Sequence, residues 1–402
     1  MKTKLSLLLS FLVVIMFAIS CQQRKGNTNA LYVRRLGNDT LSVEQLNRTN
    51  NGYHGQYVSR MPATQVGKYQ AQLGPDGSVK SLSLNWSTPK ENPNGPAPRK
   101  LQVTIKDTTA TIQMSGAWRH GKTVDTTYSQ SVPAGTIPGI ISGLMDAHPS
   151  VATLTQALHQ AKGHYGNSGY KVHIMSPRSG HLFSGTLTKA QGDTVNLKLS
   201  GISYPATVNS KGQVTWLSAK NSTVQTITKR QQGNVQQIAA NFASMDAHGK
   251  GIPIASPRDT VKATINGAHL EVQYSRPSMR GRRIWGGLVP WNKVWRTGAN
   301  AATQFSTDHD LNMNGTTIPA GTYTLYSIYT PSSAKLIVNS QTGQWGTVYH
   351  QKQDFARINM KKTTLKQPVD TFTVSFDSTS SKPKLQLTWN TTRYQLPFTV
   401  KK

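Results

Sequence analysis

Apolar residues recur at every second position through much of this chain. Leu82, Leu84 and Trp86 alternate with Ser81, Ser83 and Asn85, and Val103 and Ile105 alternate with Thr104 and Lys106. The same period marks Val195, Leu197 and Leu199, then Phe372, Val374 and Phe376, and finally Leu385, Leu387 and Trp389. Successive side chains of a strand point to opposite faces, so this period predicts strands with one apolar and one polar face. Such strands build antiparallel sheets with one face in water. Gly74-Pro75-Asp76-Gly77, Asn209-Ser210-Lys211-Gly212 and Asn314-Gly315 supply turns between strands, and the Pro-rich stretch 90–99 reads as a surface loop.

Helical spacing occurs twice. Val151, Leu154, Leu158 and Ala161 follow Ser150, and Val235, Ile238, Ala239, Phe242 and Met245 follow Asn234. Ser150 and Asn234 are suitable N-caps, and each apolar stripe is expected to cover a sheet. Periodicity breaks at 249–258, where Gly249, Gly251, Pro253 and Pro257 cluster. The expected fold is therefore mainly β, with two antiparallel β-rich domains. Residues 31–250 form the first and carry the two short helices. Residues 258–402 form the second, a sandwich or a barrel.

The N-terminus reads as an address. Lys2 and Lys4 precede an apolar run from Leu5 to Ile19, which is too short for a comfortable spanning helix. Residues 1–20 are expected to be a secretory signal. The run ends Ala18-Ile19-Ser20-Cys21 and resembles a bacterial lipobox, with Ala18 in place of the usual Leu. That resemblance implies a lipidated Cys21, with residues 21–30 as a tether, on a protein of the bacterial cell envelope at the periplasmic or surface face of a membrane. Several acyl chains on one residue would hold it there stably. Cys21 is also the chain's single cysteine, which excludes a disulfide scaffold and a Cys-rich zinc site.

Length and charge add two constraints. The 402 residues suffice for two domains with cores of their own. Lys and Arg number 45 against 16 Asp and Glu, a net charge of +29. Bases outnumber acids on both sides of 249–258, and no long Lys/Arg run occurs. The field of such a chain favours anionic partners, lipid head groups or acidic glycans among them, in a salt-sensitive way. Its even spread does not suit a dedicated nucleic-acid interface. No cofactor is expected.

The densest candidate chemistry lies between 276 and 300. Arg276, Arg280, Arg282, Arg283, Lys293 and Arg296 are interleaved there with Trp285, Trp291 and Trp295, and no acid intervenes. Guanidinium groups clasp carboxylate, sulfate or phosphate with two parallel hydrogen bonds, and indole faces stack on cations and rings. The expected ligand-binding residues are Arg276, Arg280, Arg282, Trp285, Trp291, Trp295, Arg296 and Asn300. The structural alternative makes the tryptophans core residues and sets the arginines on loop carbonyls.

This stretch also carries a family resemblance. Tyr274-Ser275-Arg276-Pro277-Ser278, Gly281-Arg282, Ile284-Trp285-Gly286-Gly287-Leu288-Val289-Pro290 and Val294-Trp295-Arg296-Thr297-Gly298-Ala299-Asn300 occur in order. Ile318-Pro319-Ala320-Gly321-Thr322-Tyr323, Gln341-Thr342-Gly343-Gln344-Trp345-Gly346 and Asp354 follow. Together they resemble DUF2911, a family of bacterial envelope domains of unknown function. The resemblance implies a β-rich domain and no agreed activity. Many members carry a Glu after the Gly-Ala-Asn step, where this chain has Ala301.

Catalytic patterns are sparse. No Gly-x-Ser-x-Gly elbow and no Ser-x-x-Lys accompanies Ser275 or Ser278. Paired carboxylates of the glycosidase kind are missing from 276–300. Asp308-His309-Asp310 offers metal-ligand chemistry, but on a strand only Asp308 and Asp310 would share a face. No catalytic or metal-binding residue is assigned. The expected function is non-catalytic binding of an anionic or glycan ligand by a membrane-anchored lipoprotein. The alternatives are an envelope hydrolase with His309 or His350 as base, and a structural or assembly lipoprotein.

Overall fold

The computed structural model describes residues 29–401, except 62, 119–122, 141–148, 167, 223–224, 254 and 380–381. The signal segment, Cys21 and almost all of the tether lie outside the described residues. Two compact units divide the chain between Gly251 and Ile252, and the turn Leu36–Asp39 groups with the second.

The first unit holds strands β1 (Asn29–Leu36), β2 (Asp39–Thr49), β3 (Gly52–Ser59), β4 (Gln65–Leu73), β5 (Val79–Ser87), β6 (Arg99–Lys106), β7 (Thr109–Ala117), β8 (Thr123–Ser131) and β9 (Ile137–Pro138). Helix α1 (Val151–Ala161) follows, then β10 (Tyr170–Met175), β11 (Leu182–Lys189), β12 (Thr194–Leu199), β13 (Ile202–Val208), β14 (Val214–Ser218), β15 (Ile227–Gly233) and helix α2 (Val235–Ala247). Among the described residues these strands form one fifteen-stranded sheet, in which β1–β8 and β10–β15 are two meanders. Antiparallel pairing of β1 with β15, with Leu31 opposite Gln231, joins them, and only the short β9–β10 pair is parallel. Alternation sets the faces as expected: Leu82, Leu84, Leu101, Val103, Leu197 and Leu199 are all buried.

Both helices form where their spacing placed them. Ser150 Oγ accepts from Thr153 N, and Asn234 Oδ1 accepts from Gln236 N and Gln237 N. Val151, Leu154, Ala157 and Ala161 of α1 pack among Val172, Ile174 and Leu197. Val235 and Ala239 of α2 pack on Leu31, Val33 and Val58. Met245, at the end of that stripe, is left exposed.

One buried contact ties α1 to the sheet. Glu44, on β2, is buried, and its carboxylate accepts from Val151 N at 3.0 Å, Ala152 N at 3.3 Å and the Tyr69 hydroxyl at 3.1 Å. The first N–H groups of a helix lack partners within it and carry partial positive charge, so a carboxylate fits there. Burial raises the Glu44 pKa, while the Arg34 charge and these three donors oppose the shift. Arg34 in turn donates to Pro149 O at 2.9 Å, just before the cap.

The second unit holds β16 (Arg258–Ile265), β17 (Ala268–Ser275), β18 (Val294–Trp295), β19 (Thr303–Thr307), β20 (Leu311–Met313) and β21 (Thr316–Ile318). It continues with β22 (Gly321–Tyr329), β23 (Ala334–Asn339), β24 (Asp354–Asp377) and β25 (Lys384–Val400). The strand order is β16-β17-β19-β22-β23-β24-β25-β20-β21, with β18 beside β22. β24 pairs first with β23 and then with β25, changing register near Thr364 and Val369. Residues from both parts of this sheet share one core. The order has two ends, so no closed barrel forms, and the sandwich is the architecture that fits.

Strand β25 departs from the expected wet face. Gln386 and Thr388 are buried along with the apolar residues beside them. Their polar atoms are satisfied from neighbouring chain: Gln386 Nε2 donates to Asp377 Oδ2 at 3.0 Å, and Thr388 Oγ1 accepts from Arg393 Nε at 3.3 Å.

Replacing Glu44 with Gln turns one acceptor into a donor that faces helix N–H groups or the tyrosine hydroxyl. The expected loss of unfolding free energy is about 2–4 kcal/mol at neutral pH, the range for a disrupted buried charge and its hydrogen bonds. Denaturant unfolding of E44Q checks it, and a loss below about 1 kcal/mol would show that the carboxylate does not hold the helix.

Candidate functional site

Three of the predicted site residues turn into the core of the second unit. Trp295 stacks on Trp389 with ring centroids 5.9 Å apart and meets Phe372 edge-on at 5.1 Å. Trp285 and Trp291 are stacked at 6.4 Å, and Trp285 also contacts Tyr329 at 4.9 Å and Tyr394 at 5.4 Å. Trp295 is nearly sealed, whereas Trp285 and Trp291 keep partial exposure. Polar tips in this cluster stay unpaired: Trp285 Nε1 and Tyr394 Oη are buried without a partner among the described residues.

Most of the arginines are engaged within the fold. Arg276 donates to Asp259 at 3.1 Å, Thr373 Oγ1 at 3.0 Å and Phe372 O at 3.3 Å. Arg280 is ion-paired with Asp39 and donates to Pro253 O at 3.1 Å. Arg282 donates to Ser278 O at 2.7 Å and Met279 O at 3.1 Å, and burial, with the Arg280 charge nearby, pushes its pKa down to about 10. Arg283 donates to Trp285 O at 3.1 Å.

Arg296 is different. Its Nε is enclosed with no acceptor among the described residues, and burial alone lowers its pKa. Trp295, the last residue of β18, pairs with Ser327 and enters the core, while Val294 turns to the opposite face and Arg296, just past the strand, lies against Gly346. On that opposite face a second, smaller cluster gathers Ala302, Tyr326 and Ile337, with Val294, Ile328 and Tyr349 against it. Thr297 and Asn300 both have positive φ, which bends the chain back immediately after Arg296.

The segment 341–350 lies over this face. Ala302 N donates to Gln344 O at 3.1 Å, and Gly346 N donates to Asn300 O at 3.0 Å. A Cβ at Gly346 would come within 2.5 Å of Arg296 Cδ and 2.6 Å of Asn300 O, so only glycine permits this approach. Gln344 Nε2 reaches Tyr326 Oη at 3.1 Å and Thr324 Oγ1 at 3.3 Å, and the Tyr326 hydroxyl donates to Val348 O. Tyr349 donates to Asp354 at 2.6 Å, and Arg357 donates to both Asp354 and Tyr349 at 2.8 Å.

The polarity of this segment is inverted. Trp345 and Val348 face solvent, 51% and 40% exposed, while Gln341 and Gln344 point inward with their amide oxygens buried and unpaired. Segment 341–350 thus carries two unpaired acceptors on its inner side and an exposed indole on its outer side, and its Gly346 lies against Arg296, whose Nε is enclosed. Of the eight predicted residues, the structure brings Arg296 and Asn300 to this place. Arg276, Arg280 and Arg282 bind the surrounding chain, and the three tryptophans form the core behind it. Trp345, Gln344, Tyr326 and Tyr349 were not singled out as site residues. The available signal was a Trp-Gly step in polar sequence that lacks strand alternation.

The other candidates are simpler. Asp308 and Asp310 do not converge, because the chain bends there instead of continuing as a strand. Asp308 accepts from His309 Nδ1 at 2.8 Å and His269 N at 2.7 Å, whereas Asp310 accepts from Ala320 N at 3.0 Å. Asp308 borders an open groove of about 640 Å³ that also includes the Lys262–Glu271 ion pair. No Ser or Thr hydroxyl is hydrogen-bonded to the His309 or His350 imidazole, and no metal-ligand cluster occurs, among the described residues.

Residues 256–398 match DUF2911, a protein family of unknown function. The DUF2911 match contains every residue placed around Arg296 here. Among solved structures, a DUF1089 family protein from Pseudomonas aeruginosa is similar at 14% identity and a TM-score of 0.30, covering 44% of this chain and 88% of its own. No curated protein matches the chain.

Two outcomes follow from the local chemistry. Tyr394→Phe removes a buried hydroxyl that has no partner, so stability should stay level or rise by about 1 kcal/mol; a loss beyond that in denaturant titration would reveal a hidden bond. The Tyr349 pKa is raised to about 12, first by burial and then by its bond to Asp354. The contribution of this proton is therefore complete below pH 10 and lost as pH passes about 12. With solvent screening allowed for, Y349F should be less stable than wild type by about 1 kcal/mol at pH 8. The gap should close in strongly alkaline buffer, and a gap independent of pH would contradict this assignment.

Proposed function

We propose that this chain is a lipid-anchored envelope protein whose second unit binds an anionic ligand without transforming it. One observation carries the reading: Arg296 is a largely enclosed cation with no counter-ion among the described residues. Removing a charge from water is costly unless an opposite charge replaces the water, so an unaccompanied guanidinium favours an anion supplied from outside. The basic chain draws such ligands in, and Asn300 and Gly346 lie beside the place where one would sit. Lipidation of Cys21, which the lipobox resemblance implies, would hold the site in the envelope beside acidic glycans and anionic lipid head groups.

Binding should raise the melting temperature of the full-length chain in detergent by mass action. Inorganic phosphate, sulfate, sodium glucuronate and anionic phospholipid vesicles form a suitable panel. At least one should stabilise wild type and leave Arg296→Ala unshifted; a panel that stabilises both proteins equally, or neither, would contradict the reading. Mass spectrometry of the protein from membranes should show an acylated N-terminal Cys21, and an unmodified or differently cleaved N-terminus would remove the envelope assignment.

A further inference from the structure

We infer that the outer face of the second unit, where Trp345 and Val348 stand exposed, docks on an anionic phospholipid bilayer. This rests on the reading of the chain as membrane-anchored and adds a second contact, separate from Arg296. Three observations carry it.

The first is the turn that holds both apolar side chains. Val348 N donates to Trp345 O at 2.9 Å, which closes a turn over residues 345–348 and sets its two ends side by side. The turn is fixed to the sheet from its inner side. The Tyr326 hydroxyl donates to Val348 O, Gln344 Nε2 reaches Tyr326 Oη at 3.1 Å, and the Tyr349 ring meets that of Tyr326 at 5.0 Å. Trp345 and Val348 are left on the outer side, 51% and 40% exposed. An indole beside an aliphatic side chain is costly to expose to water. It suits the interface of a bilayer, where the N–H stays wet and the ring meets the acyl boundary.

The second is the charge around the turn. Tyr326 pairs with Ile337, and Ile337 with Arg357. The face beneath the turn is therefore the face of β23 and β24 that carries Lys335, Arg357 and Lys361. All three are exposed and alternate with buried Leu336, Ile358 and Met360, and Lys352, just past the turn, is exposed too. The one acid between Asp310 and Asp370 is Asp354, and Tyr349, Arg357 and Asn339 already donate to it. Among the described residues no carboxylate is ion-paired with Lys335, Lys352 or Lys361. An anionic membrane surface attracts such side chains within about a Debye length.

The third is reach. Cys21 lies eight residues before β1 begins at Asn29, a length of chain that spans at most about 29 Å. An anchor that short confines the folded chain to the layer next to the bilayer, so individually weak apolar and ionic contacts act at high effective concentration.

The test uses the full-length chain, purified from membranes and reconstituted into vesicles whose phospholipid carries bromine on its acyl chains, a short-range quencher of indole fluorescence. The signal of Trp345 is the difference between wild type and Trp345→Phe, which keeps a ring at an exposed position. In vesicles rich in phosphatidylglycerol that signal should be quenched at least about twofold more than in phosphatidylcholine alone, and high salt should abolish the difference. Lys335→Gln combined with Lys361→Gln should cut the difference by about half or more, and Val348→Asp should remove it. Equal quenching in neutral and anionic vesicles would overturn the docking face, as would no quenching in either while the chain floats with the vesicles. A Trp345 signal that responds to a soluble oligogalacturonate and not to bilayers would also overturn it. Quenching lost in Arg296→Ala but kept in the lysine variant would mean that a head group is held at Arg296, overturning the docking face and leaving the anion site standing. A chain that separates from the vesicles on flotation would overturn the anchor, and this inference with it.

Discussion

The seating of Trp295 in the aromatic core governs the second unit. Its indole is stacked on Trp389 and set edge-on to Phe372, so the strand bearing it cannot slip by one residue without expelling a large ring. Arg296, the first residue past this strand, lies instead against Gly346 of segment 341–350.

The arginines show how a strongly basic chain distributes its charge. Arg276 and Arg280 find Asp259 and Asp39, and Arg282 and Arg283 tie down loop carbonyls. A glycine-rich stretch leaves many backbone carbonyls without strand partners, and long guanidinium side chains are suited to satisfy them. With acids scarce, one arginine of the group remains unaccompanied among the described residues. In the first unit the balance is different: Glu44 is buried, but a helix terminus, a tyrosine hydroxyl and the Arg34 charge surround it.

The secondary structure was largely legible in the sequence because its signals are local. Period-two alternation at Leu82–Trp86 and Val195–Leu199 needs only the geometry of a strand, and Ser150 and Asn234 cap helices through bonds spanning two or three residues. The buried polar residues Gln386 and Thr388 escaped that reasoning. Their satisfaction depends on Asp377, which β24–β25 pairing brings close, and on Arg393, further along β25 itself beyond the positive φ of Asn390. Glu44 escaped it too, since its partners Val151 and Ala152 are more than a hundred positions away.

For the site, the sequence by itself determined a concentration of arginine and tryptophan and a DUF2911 pattern running through it. It gave each arginine the same weight, because composition does not reveal which guanidinium has an acid or a carbonyl within reach. Only the tertiary structure separated Arg296 from Arg276, Arg280 and Arg282, and placed Gly346 against it from fifty positions further along the chain. The physical reason is that a charge's environment is made by whatever folds against it, whereas the period of a strand is written in the residues themselves.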